Sequence, residues 1–252
     1  MIVPRSTSES DLCCNPRVPS RHGFLVALLS ERTALFSNLH DVRVFADVGG
    51  ADGDFVDAFS KAFHLDNRVG LVLDFNPKHL TLAKRKFGAI QCDIDGHIPL
   101  RADAIHICSL ISVIEHVKRK EAILTAVNRI MVREGLLLIQ NPNPYFPLDI
   151  HFQIPFWFAL PGFMKTFFAN FSMKRQTREY GLTPGLDTYY TEYVPINVLI
   201  GMLKKAGFRV EACISYVYPQ SILPSWALPL APLLKLVPRV LPMGHLIVAV
   251  RR

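Results

Sequence analysis

Charged side chains are scarce in this sequence. Asp, Glu, Lys and Arg make up 19% of its 252 residues and hydrophobic types 50%, a balance that excludes disorder over most of the length and leaves much apolar surface to be buried. Cysteine is thin as well: Cys13, Cys14, Cys92, Cys108 and Cys213 form no CxxC pair, and neither they nor the histidines have metal-ligand spacing. Reduced thiols in a cytoplasmic chain, and no metal, are the expectation. No P-loop and no pair of catalytic carboxylates stands out, which argues against nucleotide hydrolysis and glycoside cleavage. The first twenty residues have no apolar core of a secretory signal. Long apolar runs are broken too. Pro155, Pro161, Gly162 and Lys165 interrupt Ile154 to Phe171, and six prolines from Pro219 to Pro242 interrupt the second greasy stretch, so neither suits a membrane span. The charge that is present leans positive, +7 in all, which favours anionic partners such as nucleic acid, acidic lipid or phosphorylated substrates without choosing among them.

The periodicity of what remains predicts an α/β domain. Helical spacing covers Gly23 to Leu39, Asp52 to Phe63, Pro77 to Phe87, Lys120 to Val132 and Val194 to Lys205, the last closed by Gly207. Between these lie β-type runs at Arg43 to Val48, Val69 to Leu73, Ala89 to Cys92, Ala104 to Cys108, Gly135 to Gln140, Phe208 to Ile214 and Gly244 to Val250. The alternation predicts a doubly wound, Rossmann-like, seven-stranded and mostly parallel sheet with helices on both faces. Residues 1–22 are expected to form a flexible tail and 23–252 a single domain. Within it, 141–190, after the fifth strand, and 215–243 stand apart as apolar insertions rich in proline and aromatic residues.

One motif carries the chemistry. VFADVGGADGDF, Val44 to Phe55, is a strand ending in Asp47 that opens into a glycine-rich loop ahead of a helix, so a ligand can approach bare backbone and the free N–H groups of a helix start. A dinucleotide loop needs G-x-G-x-x-G, and from Gly49 the later glycine positions hold Ala51 and Asp54. The motif resembles instead the acidic-x-G-x-G-x-G loop of class I S-adenosylmethionine-dependent methyltransferases, with Asp47, Gly49 and Gly53 matching and Ala51 in place of the middle glycine. LVLDFNP is similar to that family's second strand end, QCDIDG to the segment after its third strand, and ADAIHICSLISVIEHV to its fourth strand and sequel. The likeness spans Val42 to Asn141, and Thr191 to Glu211 more loosely, and is strongest toward the small-molecule members that include quinone-biosynthesis enzymes.

The resemblance implies S-adenosyl-L-methionine as cofactor and a binding set of Asp47, Gly49, Gly50, Gly53, Asp74, Phe75, Asp93, Ile94, Ser109 and Leu110. Asp74 would accept from the ribose hydroxyls and Asp93 from the adenine amino group; Ile94 would lie against the ring, and Ser109 and Leu110 near the methionine portion. Read from residues alone, each aspartate also suits a turn or a helix cap. Their common place after successive strands favours a ligand along the sheet's carboxyl edge.

For the acceptor, His116 in IEHV and His151 in PLDIHFQIP are the candidate general bases, with a packed structural histidine as the alternative for each. The aromatic insertion is open to two readings, a core extension or a lid over a lipophilic acceptor, and Lys165, Lys174, Arg175 and Arg178 suit either an anionic bilayer surface or a solvated face. Tyr189, Tyr190 and Tyr193 would line the pocket or brace the insertion. A small hydrophobic or lipid-linked acceptor with peripheral membrane contact is the resulting expectation. The competing readings are a nicotinamide-dependent reductase and a non-catalytic scaffold. No nucleic-acid partner is expected: NPNPYF at Asn141 to Phe146 has one residue too many for a target-base motif and is taken as the fifth strand's exit turn.

Overall fold

The structure, a computed structural model, describes residues 21–36, 39–65, 68–95, 97–149, 156–165, 167–168, 192–218 and 241–252. Helix α1 (Arg21–Ser30) leads through two short 3-10 turns into β1 (Val44–Val48), α2 (Asp54–Ala62), β2 (Val69–Asp74), α3 (Pro77–Ala83) and β3 (Gly88–Gln91). There follow β4 (Ile105–Ile111), α4 (Lys120–Ile130), β5 (Met131–Pro142), α5 (Ile196–Lys205), β6 (Phe208–Tyr216) and β7 (Gly244–Arg251).

The seven strands form one sheet in the order β3-β2-β1-β4-β5-β7-β6. The first five are parallel, and β7 runs antiparallel to both β5 and β6. This is the expected mostly parallel, doubly wound sheet. Two apolar layers flank it. Phe24, Leu25 and Leu29 of α1 and Phe55, Val56 and Phe59 of α2 pack on one face, whereas Ile123, Leu124 and Val127 of α4 and Leu199 and Leu203 of α5 pack on the other. The strands in the middle are buried on both sides, which is why β1 and β5 show continuous apolar runs and not alternation.

Local differences from the sequence reading have local causes. The helix expected from Gly23 begins at Arg21, inside the segment assigned to the tail, and ends at Ser30, its remaining residues falling into a turn and the 3-10 helix Thr33–Phe36. α3 stops at Ala83, not Phe87; its start is sharp because Asn76 accepts a hydrogen bond from Lys78 N at 3.0 Å and Pro77 takes the first helical position. β5 begins at Met131, where the helix had been expected to continue, and Glu134, with φ +56°, breaks its register against β4. Gly207, with φ +89°, closes α5 as expected. The exit turn expected from Asn141 begins two residues later, because Asn141 and Pro142 still pair with His245 and Gly244 of β7; in the turn Asn143 Oδ1 accepts from Tyr145 N at 3.1 Å. Most of 150–191 and 219–240, including His151, Lys174, Arg175, Arg178, Tyr189 and Tyr190, lies outside the described residues.

Candidate functional site

The order of the strands reverses between β1 and β4, the switch point at whose carboxyl edge ligands settle in open α/β sheets. Asp47 and Ser109 face each other there as register partners. Ser109 Oγ donates to Asp47 Oδ1 at 2.6 Å, and Asp47 is 1% exposed. Burial, opposed by the Ser109 bond and reinforced by the charges of Asp74 and Asp52, pushes the Asp47 carboxyl up to about 7.

The loop after β1 folds back over the end of β2. Gly49 N and Gly50 N both donate to Leu73 O, at 2.7 and 3.2 Å, and Gly53 N donates to Gly50 O at 2.8 Å. Gly49 and Gly53 hold φ of +74° and +86°, and Ala51, in the position of the family's middle glycine, adopts the same left-handed region at +48°. No side chain fits at Gly50: a Cβ there would lie 2.6 Å from the carboxyl carbon of Asp47. A Cβ on Gly49 would lie 2.5 Å from Cγ2 of Val113, so the residue following the β4 exit closes down on the loop.

Asp74 anchors that loop. Its Oδ2 accepts from Ala51 N at 3.0 Å and its Oδ1 from Asn76 N at 2.8 Å, and it is 5% exposed. At the edge of the sheet Asp93 is exposed, with Oδ1 accepting from Asp95 N at 3.0 Å; both the turn role and the strand-end placement are thus realised in the same aspartates. Phe75 stands at the surface after β2, its carbonyl accepting from Gln91 Nε2 at 3.2 Å. Ile94 is half-buried against the layer that carries α4. Leu110 belongs to that layer and is fully buried. Successive strand residues point to opposite faces, so a Ser109 turned toward Asp47 sends Leu110 away from it, leaving only its backbone for contact with a ligand.

His116 sits half-buried in the 3-10 turn Ile114–His116. The adjoining Glu115 is completely buried, and that burial, opposed by its own backbone hydrogen bond and the Arg21 and Lys120 charges, pushes its carboxyl up to about 7. Glu192 N donates to Glu115 O at 2.8 Å, and Lys120 Nζ meets Glu192 Oε2 at 2.8 Å. Tyr193 Oη donates to Asp149 Oδ2 at 2.5 Å. These bonds tie the segment before α5 to the exit of β4.

Beyond the expected residues, a polar group has assembled over the ends of β4, β5 and β6: Arg21, Ser112, Gln140, Tyr216 and Tyr218. Its signal in the sequence is faint. Ser112 and Gln140 are polar interruptions at the ends of apolar strands, and Tyr216 and Tyr218 fall on one side of an extended stretch by their spacing of two.

Residues 46–139 match the model of a protein family described as "Methyltransferase domain". A search of curated proteins finds no match. Among solved structures, an S-adenosylmethionine-dependent methyltransferase from Mesorhizobium loti is 16% identical, with 90% of this chain and 100% of that one covered and a TM-score of 0.56. One from Archaeoglobus fulgidus is 15% identical over 93% of this chain and 96% of that one, also at 0.56. At such identity these neighbours speak for the fold, and the family match speaks for the site segment. Residues 46–139 are thus similar to a methyltransferase domain, set in a chain with the fold of S-adenosylmethionine-dependent methyltransferases. Among the described residues no helix is long and apolar enough to cross a membrane, and no group of three His, Cys, Asp or Glu side chains is placed to hold a metal ion.

Proposed function

We propose that the chain methylates a small hydrophobic or lipid-linked acceptor, such as a quinone-type ring, working in the cytoplasm with peripheral contact to an anionic membrane surface. One observation supports this reading. The chain that leaves the carboxyl end of β5 buries Phe146 but leaves several other rings at the surface: Tyr145, Phe156 and Phe158 are exposed, and Phe163 and Phe167 are 76% and 67% exposed on either side of the half-buried Lys165. Apolar rings of this size are buried when nothing else calls for them, and a cluster at the surface beside a cation suits a lipid partner.

The structure's own cradle fits the cofactor. A buried carboxylate retained at the switch point suits a cation, and the bare backbone at Gly49 and Gly50 admits a close ligand. In this assignment Asp47 faces the ammonium of the amino-acid end, with Ser109 and the Leu110 backbone beside it. Asp74 takes the ribose hydroxyls and Asp93 the adenine amino group, while Ile94 and Phe75 flank the nucleoside and Gly49, Gly50 and Gly53 give it room.

The bound cofactor supplies a methyl group on positively charged sulfur, ready for displacement. The protein's work is then to hold the acceptor atom in line and to keep water out. If that atom is a hydroxyl oxygen, its proton passes to a base. His151 and His116 are the assigned candidates, of which His116 stands in the turn after β4 and His151 lies outside the described residues.

The test is a series of acceptors differing only in chain length, assayed with and without vesicles of phosphatidylglycerol. Turnover rising with chain length and with vesicles is expected; turnover indifferent to both overturns the lipophilic reading. In the same assay His151→Ala should lower turnover at unchanged affinity for S-adenosylhomocysteine, and an unaltered rate removes it from the mechanism.

A further inference from the structure

The guanidinium of Arg21 has unusual company. Its Nε donates to Tyr218 Oη at 2.8 Å and its Nη2 to Ser112 Oγ, and it lies 5.6 Å from the centre of the Tyr218 ring. Both partners are neutral, and among the described residues no carboxylate is bonded to it. Burial works against its charge, but the neighbouring Tyr218, Tyr216 and Glu115 outweigh it, and the pKa stays above the ordinary arginine value. Arg21 is half-buried, and a permanent cation partly withdrawn from solvent is ordinarily matched by an anion. Here the described residues supply none in hydrogen-bond contact.

The proton pattern of its neighbours points the same way. Ser112 Oγ donates to Gln140 Oε1, Gln140 Nε2 donates to Tyr216 Oη at 2.6 Å, and Tyr216 Oη donates to Tyr218 Oη at 3.5 Å. Each hydrogen in this relay is spent on the next acceptor, until Tyr218. That hydroxyl receives from Tyr216 and from Arg21, and its own hydrogen has no acceptor among the described residues. Arg21 Nη1 likewise makes no bond among them. Two donors thus remain, one charged and one neutral, on adjoining side chains.

The backbone supports the arrangement. Ser112 holds φ +56°, a left-handed conformation that is strained for a serine, and that conformation accompanies a hydroxyl turned to Arg21 on one side and Gln140 on the other. Val113, next in the chain, is the side chain that abuts Gly49. His22, next to Arg21, sets its ring 6.1 Å from that of Phe55 at the start of α2. Arg21 therefore stands between the glycine loop and the exits of β4 and β5.

We infer that Arg21 and Tyr218, held by Ser112, Gln140 and Tyr216, form a receptor for an anionic group, a carboxylate or a phosphate. The planar guanidinium suits two oxygens of such a group at once. Resting on the methyltransferase reading, the anion has two sources: the carboxylate of the cofactor's amino-acid end, or an acidic group on the acceptor.

Calorimetry on the full chain separates them, with Arg21→Gln and Tyr218→Phe compared with the wild type. The probes are S-adenosylhomocysteine, 5′-methylthioadenosine, which lacks the amino-acid end, and inorganic phosphate added to protein saturated with S-adenosylhomocysteine. If the site takes the cofactor's carboxylate, Arg21→Gln weakens S-adenosylhomocysteine about ten- to hundredfold and leaves methylthioadenosine unchanged. If it takes an acceptor's anion, both nucleosides bind as before and the phosphate isotherm disappears. Tyr218→Phe, which keeps the ring under the cation, should produce a smaller loss of the same kind and covers the case in which Arg21→Gln fails to fold. S-adenosylhomocysteine and phosphate titrations identical in wild type and a folded variant overturn the receptor. Failure of both nucleosides to bind the wild type counts against the methyltransferase reading instead, and a phosphate isotherm lost in Arg21→Gln would still uphold the receptor.

Discussion

Replacing Asp47 by Asn isolates the energy stored in a carboxylate at the centre of the sheet. The group is 1% exposed, and its pKa stands at about 7 against 3.8 for an unperturbed aspartate. Between those two values the native chain binds more protons than the unfolded one, so stability falls as pH rises through that window. Above it the ionised carboxylate costs the fold about 4 kcal/mol, at pH 5 only about 2, and below the unperturbed value nothing. Asparagine cannot ionise, and its side-chain oxygen can still accept from Ser109. Without ligand, Asp47→Asn should therefore be the more stable protein at pH 8, and its advantage over the wild type should widen by about 2–3 kcal/mol between pH 5 and pH 8. In melting temperature that is roughly 5–10 °C for a chain of this size, measured by thermal unfolding of both proteins at the two pH values. The contribution of Glu115, which titrates in both, cancels in the comparison. Affinity for S-adenosylhomocysteine should move the other way and fall by about tenfold or more, as expected for the loss of a charged partner. A stability gap that does not change with pH, or a variant that binds as the wild type does, refutes the reasoning.

Gly50→Ala forces a methyl group to within 2.6 Å of the Asp47 carboxyl and should weaken cofactor binding at least tenfold, by calorimetry, with the sheet intact by circular dichroism. Asp74→Ala removes the acceptor of both Ala51 N and Asn76 N; a loss of about 2–3 kcal/mol in urea unfolding is expected, along with lost cofactor affinity, and unchanged affinity would leave Asp74 a loop anchor alone.

Much of this chain is legible in its linear order, and the reason is locality. Apolar spacing marks each helix, continuous apolar runs mark strands buried on both faces, and the loop from Asp47 to Gly53 announces itself because φ of +74° and +86° suits glycine and few other residues. Asp74 and Asp93 are found by their position after a strand, and the site segment is compact enough, residues 46–139, for a family match to span it. Element ends were less legible: Met131 opens β5 and Ala83 ends α3 because strand pairing and turn formation override helical spacing at those points.

Only the folded chain decides what crosses between elements. That Asp47 is bonded to Ser109, 62 residues on, and carries a raised pKa follows from the pairing of β1 with β4. That Leu110 turns away from Asp47 while Ser109 faces it follows from the pleat. Arg21 meets Ser112 across 91 residues and Tyr218 across 197, joined only because α1 packs on the same face of the sheet to which β4, β5 and β6 bring their ends. Spacing along a chain encodes the geometry of one helix or one strand; the company of a charge depends on burial, and burial is a property of the whole fold.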